Sequence, residues 1–370
     1  MTLPIVELSG SPYEQGVRHG TALRDRIAHN VRVYFDRFER EGRLRRDEVL
    51  SRARRYLRHL GSDSYEQGVR GVAAGSRFDL LEILAVNVRY EILYQQLGIQ
   101  APERRRRGAR ECTSFVVQPA ASANGHLLLG ENWDWVPGVQ SALLRTRERD
   151  GCETLSLTEA GIFGGKVGLS SAGLGLVING LVTTADDWSR RAEPFHVRCY
   201  EILRSPDLES AVRVVLDGAR AGSANFLIAQ APDRAIDVEA APAGASLLEP
   251  KDGVLVHTNH FLDGAALGVV EPLTESWYSC PRLDRMSALL RSRALLGVAD
   301  LQAALRDHQG YPNGVCCHPD PAEPPQEQGC TLASVVMDLS DRVLWATDGP
   351  PCQNPYAMVR LATSAAALAV

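Results

Sequence analysis

The sequence has few lysines, no long apolar run and no C-x-x-C pair of cysteines. Only two of its 40 basic residues are lysine, and the formal net charge is −5 with a pI near 6.0. Non-specific binding to nucleic acid needs a strongly basic face that neutralises phosphates. The charge balance therefore argues against nucleic acid as a partner.

Segments for membrane insertion or secretion are lacking as well. No stretch reaches the ~18 consecutive apolar residues of a membrane helix. The first nine residues lack the basic start and apolar core of a signal peptide. We therefore expect a cytoplasmic protein with no membrane partner. The eight cysteines form no C-x-x-C pair, which favours free thiols in a cytosolic chain.

The first hundred residues have the pattern of amphipathic helices. Ser11 and Glu14 form a capping-box signature, and Ser76 with Asp79 is a second one. Apolar residues recur at helical spacing from 23 to 38. The hexapeptide Y-E-Q-G-V-R occurs twice, but its flanks are unrelated, so we infer no internal repeat.

Helical patterning stops at residues 100–110, which read Q-A-P-E-R-R-R-R-G-A-R. Proline, glycine and four consecutive arginines predict an exposed, mobile connector, because short basic runs are mostly solvated loops. Cys112 then leads a short apolar segment, C-T-S-F-V-V-Q. The Asn124-Gly125 pair that follows predicts a hairpin turn, which returns the next strand to the side of Cys112.

Strands dominate the rest of the chain, and helices flank them. The predicted strands are 166–170, 174–180, 225–230, 235–240, 254–260 and 334–339, with helices near 208–216 and 300–307.

The segment from Cys112 to Trp135, C-T-S-F-V-V-Q-P-A-A-S-A-N-G-H-L-L-L-G-E-N-W-D-W, resembles the isopenicillin N acyltransferase family of self-cleaving cysteine N-terminal-nucleophile enzymes. S-P-Y-E-Q-G-V-R-H-G, T-E-A-G-I-F-G-G-K-V-G-L-S-S-A-G-L-G-L-V-I-N-G and V-H-T-N-H support the resemblance, in the family's order. It covers most of the chain. The resemblance implies an α+β fold, a four-layer αββα sandwich. It also implies a mostly helical pro-segment at 1–111 and a catalytic subunit at 112–370.

The resemblance further implies that the chain cuts itself between Glu111 and Cys112. A thiol that attacks the preceding carbonyl converts an amide into a thioester, which water opens more readily. The α-amine released on Cys112 has an ordinary pKa of about 7.7–8.0 and can accept the thiol proton, so no histidine base is needed. Glu111 replaces the glycine of the best-known members, and we expect its bulk to slow the acyl shift.

Three further residues are candidates for the site. Asp134, in N-W-D, matches the family's catalytic aspartate and can hold the new ammonium group. Asn259, in H-T-N-H, matches an asparagine whose amide stabilises an oxyanion without titrating. Arg282 resembles an arginine that related enzymes place beside the thiol, where a cation lowers the thiol pKa. A surface salt bridge of Arg282 or Arg285 fits the sequence equally well.

The function implied is hydrolysis or transfer of acyl groups on amide- or thioester-linked small molecules, in specialised metabolism as the broadest guess. We expect no cofactor, although an acyl-CoA fits as co-substrate. The expected partners are a small-molecule acyl donor, an amine or water acceptor, and the protein's own cleaved N-terminal fragment. Gly314 replaces a serine implicated in the penicillin enzyme, which argues against that substrate.

Two other hypotheses remain. The first is an uncleaved, non-catalytic scaffold or binding protein of the same fold. The second is a metal-dependent hydrolase that uses His257, His260 and Cys316-Cys317-His318. Histidines three positions apart on a strand point to opposite faces, so we expect no metal. The glycine-rich segment 161–169 lacks the G-K-[ST] sequence of a phosphate-binding loop.

Overall fold

The computed structural model describes residues 3–99, 112–187, 190, 192–271, 278–324 and 328–361, without the side chains of 95–99. The predicted connector at 100–110 and Glu111 lie outside the described residues.

The N-terminal segment begins with a strand and continues as helices. The elements are β1 (Ile5–Ser9), α1 (Pro12–Ala22), α2 (Arg24–Arg40), α3 (Arg46–Tyr56), α4 (Asp63–Ser76), α5 (Leu80–Asn87) and α6 (Arg89–Ile99). The first capping box is confirmed, since Ser11 N–H donates to Glu14 Oε2 at 2.7 Å. The second predicted start is wrong: Ser76 ends α4, and Asp79 caps α5 by accepting Leu81 N–H at 2.8 Å.

The two copies of Y-E-Q-G-V-R lie on α1 and α4, which pack against each other at close range. A Cβ on Gly16 would stand 2.1 Å from the Gly68 carbonyl oxygen, and one on Gly20 would stand 2.3 Å from Val72 O. Only glycine allows the two backbones to approach so closely. The hexapeptide that the sequence analysis set aside thus marks a matched helix–helix contact.

The strands form two sheets. The eight-stranded sheet has the order β1-β4-β5-β6-β7-β8-β9-β10, and the six-stranded sheet has the order β11-β2-β3-β12-β13-β14. The remaining bounds are β2 (Thr113–Val117), β3 (Leu128–Trp135), β4 (Ser141–Arg147), β5 (Glu153–Glu159), β6 (Val167–Ser170), β7 (Leu174–Gly180), β8 (Ala224–Gln230), β9 (Arg234–Ala241), β10 (Gly244–Leu248), β11 (Val254–His257), β12 (Cys330–Asp338), β13 (Val343–Ala346) and β14 (Ala357–Arg360).

Helices cover the outer faces of both sheets. α7 (Phe195–Arg204) and α8 (Leu208–Leu216) pack on β6 to β9, whereas α10 (Ser279–Arg291) and α11 (Val298–Leu305) pack on β2, β3, β11 and β12. The short α9 (Gly264–Leu267) contacts β10, and the sheets face each other through β2, β3, β7 and β8. The layer order confirms the four-layer αββα sandwich. Among the described helices, none is long and apolar enough to span a bilayer.

The predicted hairpin is confirmed and places Cys112 between the sheets. Thr113 pairs with Asn132, and Gly125 has the positive φ of +71° that the turn requires. Side chains alternate along a strand, so Cys112 and Val116 join the main core whereas Phe115 packs towards α10 and α11.

Residues on both sides of the predicted cleavage point share one sheet. β1 pairs in parallel with β4, with Ile5 opposite Leu143 and Ser9 opposite Arg147. Backbone hydrogen bonds between paired strands hold them in register. The N-terminal segment is therefore built into the sandwich.

Candidate functional site

Cys112 is buried at the start of β2, and its carbonyl group is held from two directions. Arg282 Nη1 donates to the Cys112 oxygen at 2.8 Å, and Asn179 Nδ2 donates to the same oxygen at 3.2 Å. The thiol points to the carbonyl oxygen of Asp134 at 3.8 Å. The residue is thus fixed on both its backbone and its side chain.

Arg282 projects from α10 and joins two of the predicted site residues. Besides the Cys112 carbonyl, its guanidinium donates to Thr113 Oγ1 at 2.8 Å and to Asn259 Oδ1 at 3.1 Å. The surface salt bridge belongs instead to Arg285, which binds Asp307 through two contacts of 2.9 and 2.5 Å. The structure therefore places Arg282 at Cys112, although on its carbonyl rather than on its thiol.

We expect Arg282→Lys to lower kcat on the order of 10²-fold with a smaller change in KM, because one ammonium cannot replace a planar fork that bridges two groups. Steady-state kinetics on an acyl substrate would measure this. Arg285→Lys, on the same helix, is the matched control and should keep its kcat. Equal losses in both variants would contradict a positioning role for Arg282.

Asp134 lies next to Cys112, as the hairpin predicted. Its Oδ1 accepts a hydrogen bond from the Thr331 hydroxyl at 2.6 Å, and its main chain accepts the Cys112 thiol. Thr331 comes from β12, the neighbour of β3 in the sheet. The carboxylate is therefore oriented by an adjacent strand, and its charge acts on the thiol.

Asn259 lies two residues beyond β11 and is brought to the same place. Its Nδ2 donates to Gly180 O at 3.0 Å, and its backbone N–H donates to Ser279 Oγ at 2.8 Å. The Tyr94 hydroxyl of α6 lies close by, since a Cβ on Gly180 would stand 3.0 Å from it. In this state the amide donor is engaged by Gly180, and the N-terminal segment helps to enclose the site.

Sequence reasoning missed two residues of the site, Asn179 and Glu131. Glu131 is buried between the sheets in β3, where its Oε2 accepts the Ile178 N–H at 2.9 Å. Its carboxyl group also contacts the Cys112 thiol, and burial raises its pKa to about 8. A carboxylate at an inward-facing position of the apolar strand L-L-L-G-E-N-W-D-W was a signal that could have found it.

We expect the uncleaved chain to lose stability between about pH 4.5 and pH 8 because of Glu131. The unfolded chain releases this proton near pH 4.5, whereas the folded chain keeps it until about pH 8, so the folded state binds more protons within that window. Stability then falls as the pH rises, by on the order of 5 kcal/mol.

Glu131→Gln cannot ionise and should remove this part of the pH dependence. Urea unfolding at several pH values, performed on Cys112→Ala chains so that the protein stays whole, would compare the two. The surface change Glu209→Gln is the control, because Glu209 pairs with Arg234 in solvent. Parallel pH curves for the Glu131 variant and its parent would disprove the shift.

A buried ionic cluster, one member of which acts on the Cys112 thiol, surrounds Glu159. Glu159 accepts two hydrogen bonds from Arg89, at 2.6 and 2.9 Å, and also contacts Lys166 and the Tyr34 hydroxyl. Burial raises the pKa of Glu159, but Arg89 and Lys166 outweigh it and hold the pKa well below its ordinary value. Two cations thus share one carboxylate.

The cluster also affects Cys112. Burial and the charges of Glu131 and Asp134 raise the pKa of the Cys112 thiol well above its usual range, and Lys166 offsets part of this rise. Lys166 itself stacks on Trp133, with Nζ 3.2 Å from the ring centre. The thiol is therefore protonated in the uncleaved chain at neutral pH, and nucleophilic attack requires a proton acceptor.

The two histidines of H-T-N-H are used by the scaffold. His257 Nε2 lies 2.9 Å from Glu239 Oε1, and His260 Nδ1 lies 2.7 Å from Ser279 Oγ. Neither belongs to a group of metal-ligand side chains within the described part of the chain. The structure therefore gives no support to a metal-dependent hydrolase that uses His257 and His260 as ligands.

A four-layer αββα sandwich with a cysteine leading an inner strand is the architecture of the N-terminal-nucleophile hydrolases. This chain belongs to the acyl-coenzyme A:6-aminopenicillanic acid acyl-transferase family, whose model matches residues 121–352. The match includes Asp134, Asn259 and Arg282 and begins after Cys112.

The chain is also similar to several individual proteins. The acyl-coenzyme A:6-aminopenicillanic-acid-acyltransferase 40 kDa form of Emericella nidulans is 27% identical over 361 residues, which cover 95% of this chain and 93% of the relative. An N-acylethanolamine-hydrolyzing acid amidase orthologue of Caenorhabditis elegans aligns with a TM-score of 0.45 at 14% identity, over 62% of this chain and 93% of its own. Penicillin V acylase of Agrobacterium tumefaciens aligns with a TM-score of 0.43 at 13% identity, over 64% and 83%.

Proposed function

We propose that the protein is a self-processing acyl-group transferase or hydrolase in which Cys112, once it is the N-terminal residue, attacks amide or thioester carbonyls of small molecules. The observation that carries this proposal is the Arg282 guanidinium, which ties the Cys112 carbonyl to Asn259 inside the sandwich. A buried arginine is costly unless its donors are satisfied. The burial of Arg282 with these partners therefore indicates that the site around Cys112 is held rigidly.

The first step is cleavage of the bond between Glu111 and Cys112. The sulfur forms a bond to the Glu111 carbonyl carbon, the C–N bond breaks, and the thiol proton ends on the departing nitrogen. Water then hydrolyses the thioester and restores the thiol. The Cys112 amine does not exist as a base before this step, and Glu131, which contacts the thiol and has a pKa of about 8, can relay the proton.

In turnover the new α-amine takes the thiol proton as the sulfur attacks the substrate carbonyl. Asp134 holds the ammonium form of this amine. The Asn259 amide, released from Gly180, donates to the oxyanion of the tetrahedral intermediate. The leaving amine or thiol receives the proton, and the acyl group remains on sulfur until water or a second amine removes it.

The N-terminal fragment stays with the catalytic fragment after cleavage. The pairing of β1 with β4 and the buried Arg89–Glu159 pair join the two, and Asn87 Nδ2 donates to Gly161 O at 2.8 Å. These contacts involve main-chain groups and buried charges. Separating the two fragments would leave these groups without their partners, which is energetically unfavourable. The fragment also supplies Tyr94 to the wall of the site.

We propose that the acyl donor is an acyl thioester or an acylated small amine. We propose no particular acceptor. The Emericella nidulans relative is named for acyl transfer from coenzyme A to 6-aminopenicillanic acid. Gly314 gives no room for a serine here, because a Cβ on it would stand 2.7 Å from Gln309 O. Acceptors other than the penicillin nucleus therefore belong in the first screen.

Intact mass spectrometry of the freshly purified wild type tests the proposal. We expect two fragments that meet between Glu111 and Cys112. After brief incubation with short- to long-chain acyl-CoA thioesters, the C-terminal fragment should gain the mass of the acyl group. Adding amines during the reaction separates transfer from hydrolysis, because an amine acceptor gives an acyl amide in place of the free acid.

The alternative, an uncleaved scaffold or binding protein, predicts a different mass spectrum. The chain would stay whole after long incubation, and no acyl donor would modify it. A whole chain that still becomes acylated at Cys112 would contradict the amine mechanism but keep the nucleophile. A cleaved chain that no acyl donor modifies would contradict the turnover step alone.

A further inference from the structure

Four side chains that can bind a metal converge outside the candidate catalytic site. His308 follows α11, Cys316 and His318 lie in the next loop, and Cys352 lies in the turn after β13. Their ligand atoms all stand within 4.8 Å of one another. Cys316 and His318 are buried, Cys352 is partly buried and His308 is at the surface.

Four of the six separations between these ligand atoms are close to those of a tetrahedral shell. Zinc at 2.3 Å from sulfur and about 2.05 Å from nitrogen places its ligands about 3.8 Å (S–S), 3.6 Å (S–N) and 3.3 Å (N–N) apart. Cys316 Sγ and Cys352 Sγ are 3.6 Å apart, and His318 Nε2 stands 3.6 and 3.4 Å from them. His308 Nε2 lies 3.1 Å from His318 Nε2.

The loop backbone is arranged to bring the four groups together. Cys316 N–H donates to Asp307 O at 3.0 Å, which folds the loop back towards His308. A side chain at Gly314 would collide with the backbone of Gln309, so glycine permits this turn. Arg306 Nε donates to Pro351 O at 2.9 Å, which fixes the Cys352 turn beside the loop.

We propose that His308, Cys316, His318 and Cys352 bind one structural Zn²⁺. Both cysteines give up a proton on binding, and the two thiolates neutralise the dication, so the site carries no net charge. Two sulfur and two imidazole ligands select zinc over magnesium or calcium. Four protein ligands leave no open position for substrate, which assigns the ion to structure rather than to catalysis.

The ion would stabilise the loop that contacts Thr331, the hydrogen-bond partner of Asp134. Between Cys316 and His318, Cys317 exchanges two hydrogen bonds with Thr331: its N–H donates to Thr331 Oγ1 at 3.0 Å, and its carbonyl accepts Thr331 N–H at 3.0 Å. The same hydroxyl donates to Asp134 at 2.6 Å. The sequence favoured no metal because His257 and His260 were paired with Cys316, Cys317 and His318, whereas the group that converges here replaces that histidine pair with His308 and includes Cys352.

Metal analysis of the full-length, untagged chain tests this site independently of any acyl chemistry. We expect about one zinc per chain in the wild type and a loss to below ~0.1 in Cys352→Ser and in His308→Ala. Cys317→Ser is the matched control and should keep its zinc, because Cys317 is adjacent in sequence but outside the group.

Two further measurements keep the test decisive if a variant folds poorly. Replacing zinc by Co²⁺ in the wild type should give the visible absorption and sulfur-to-metal charge transfer of tetrahedral thiolate-bound cobalt. Removing the metal with a chelator should lower Tm. The proposal is overturned if the reduced wild type binds neither zinc nor cobalt. It is also overturned if the purified chain is two hydrogen masses lighter because Cys316 and Cys352 form a disulfide, and if reduction of that disulfide does not restore metal binding.

Discussion

Cys112→Ala is expected to leave the purified chain whole and to lower acyl transfer by at least ~10⁴-fold, since the group that forms the covalent intermediate is removed. The loss should appear in both maturation and turnover, because one thiol serves both reactions. Intact mass spectrometry follows the first effect, and single-turnover acylation of the purified protein follows the second.

Cys199→Ala is the matched control for this change. Cys199 is equally buried, in α7, but lies on the helical layer rather than at the start of β2. It should mature normally and accept acyl groups. If Cys112→Ala were cleaved at the same bond as the wild type, the self-processing mechanism would be refuted, whatever the activity of the product.

Glu159→Gln is expected to lower the free energy of unfolding by about 3–5 kcal/mol, because it leaves Arg89 and Lys166 buried without the carboxylate that they share. The side chains of all three residues are almost completely shielded from solvent. Chemical denaturation in a Cys112→Ala background, where the chain remains one piece, would measure the change.

The surface pair Arg234–Glu209 provides the comparison. Both of its side chains are about half exposed, so Glu209→Gln should cost less than ~1 kcal/mol. If Glu159→Gln is insoluble, the double variant Glu159→Gln/Lys166→Met should recover part of the stability, because it removes one of the stranded cations. Equal costs at Glu159 and Glu209 would show that the buried cluster is not a net electrostatic support.

Local patterns were sufficient for much of the fold. The capping box at Ser11, the Asn124-Gly125 hairpin and the strands predicted at 166–170 and 174–180 follow from short-range chemistry, and the structure confirms them, the first of these strands beginning one residue later than predicted. The strands β1, β4 and β5 and the helix α10 were not predicted. Their apolar residues are mixed with charged ones, and only pairing with distant neighbours decides their conformation.

For the candidate site, the sequence by itself determined which residue types were available and their order. The resemblance of C-T, N-W-D and H-T-N-H singled out Cys112, Asp134 and Asn259. For Cys112 and Asp134 the spacing carries the same information, because a strand and its hairpin partner lie side by side.

Tertiary structure alone decided the long-range choices. It placed Arg282 rather than Arg285 on Cys112, brought Lys166 to the thiol, and joined Cys352 to the loop of His308, Cys316 and His318. These groups lie far apart along the chain. Their proximity depends on how the helices and the two sheets pack, which no local pattern records, because burial and charge pairing are properties of the assembled sandwich.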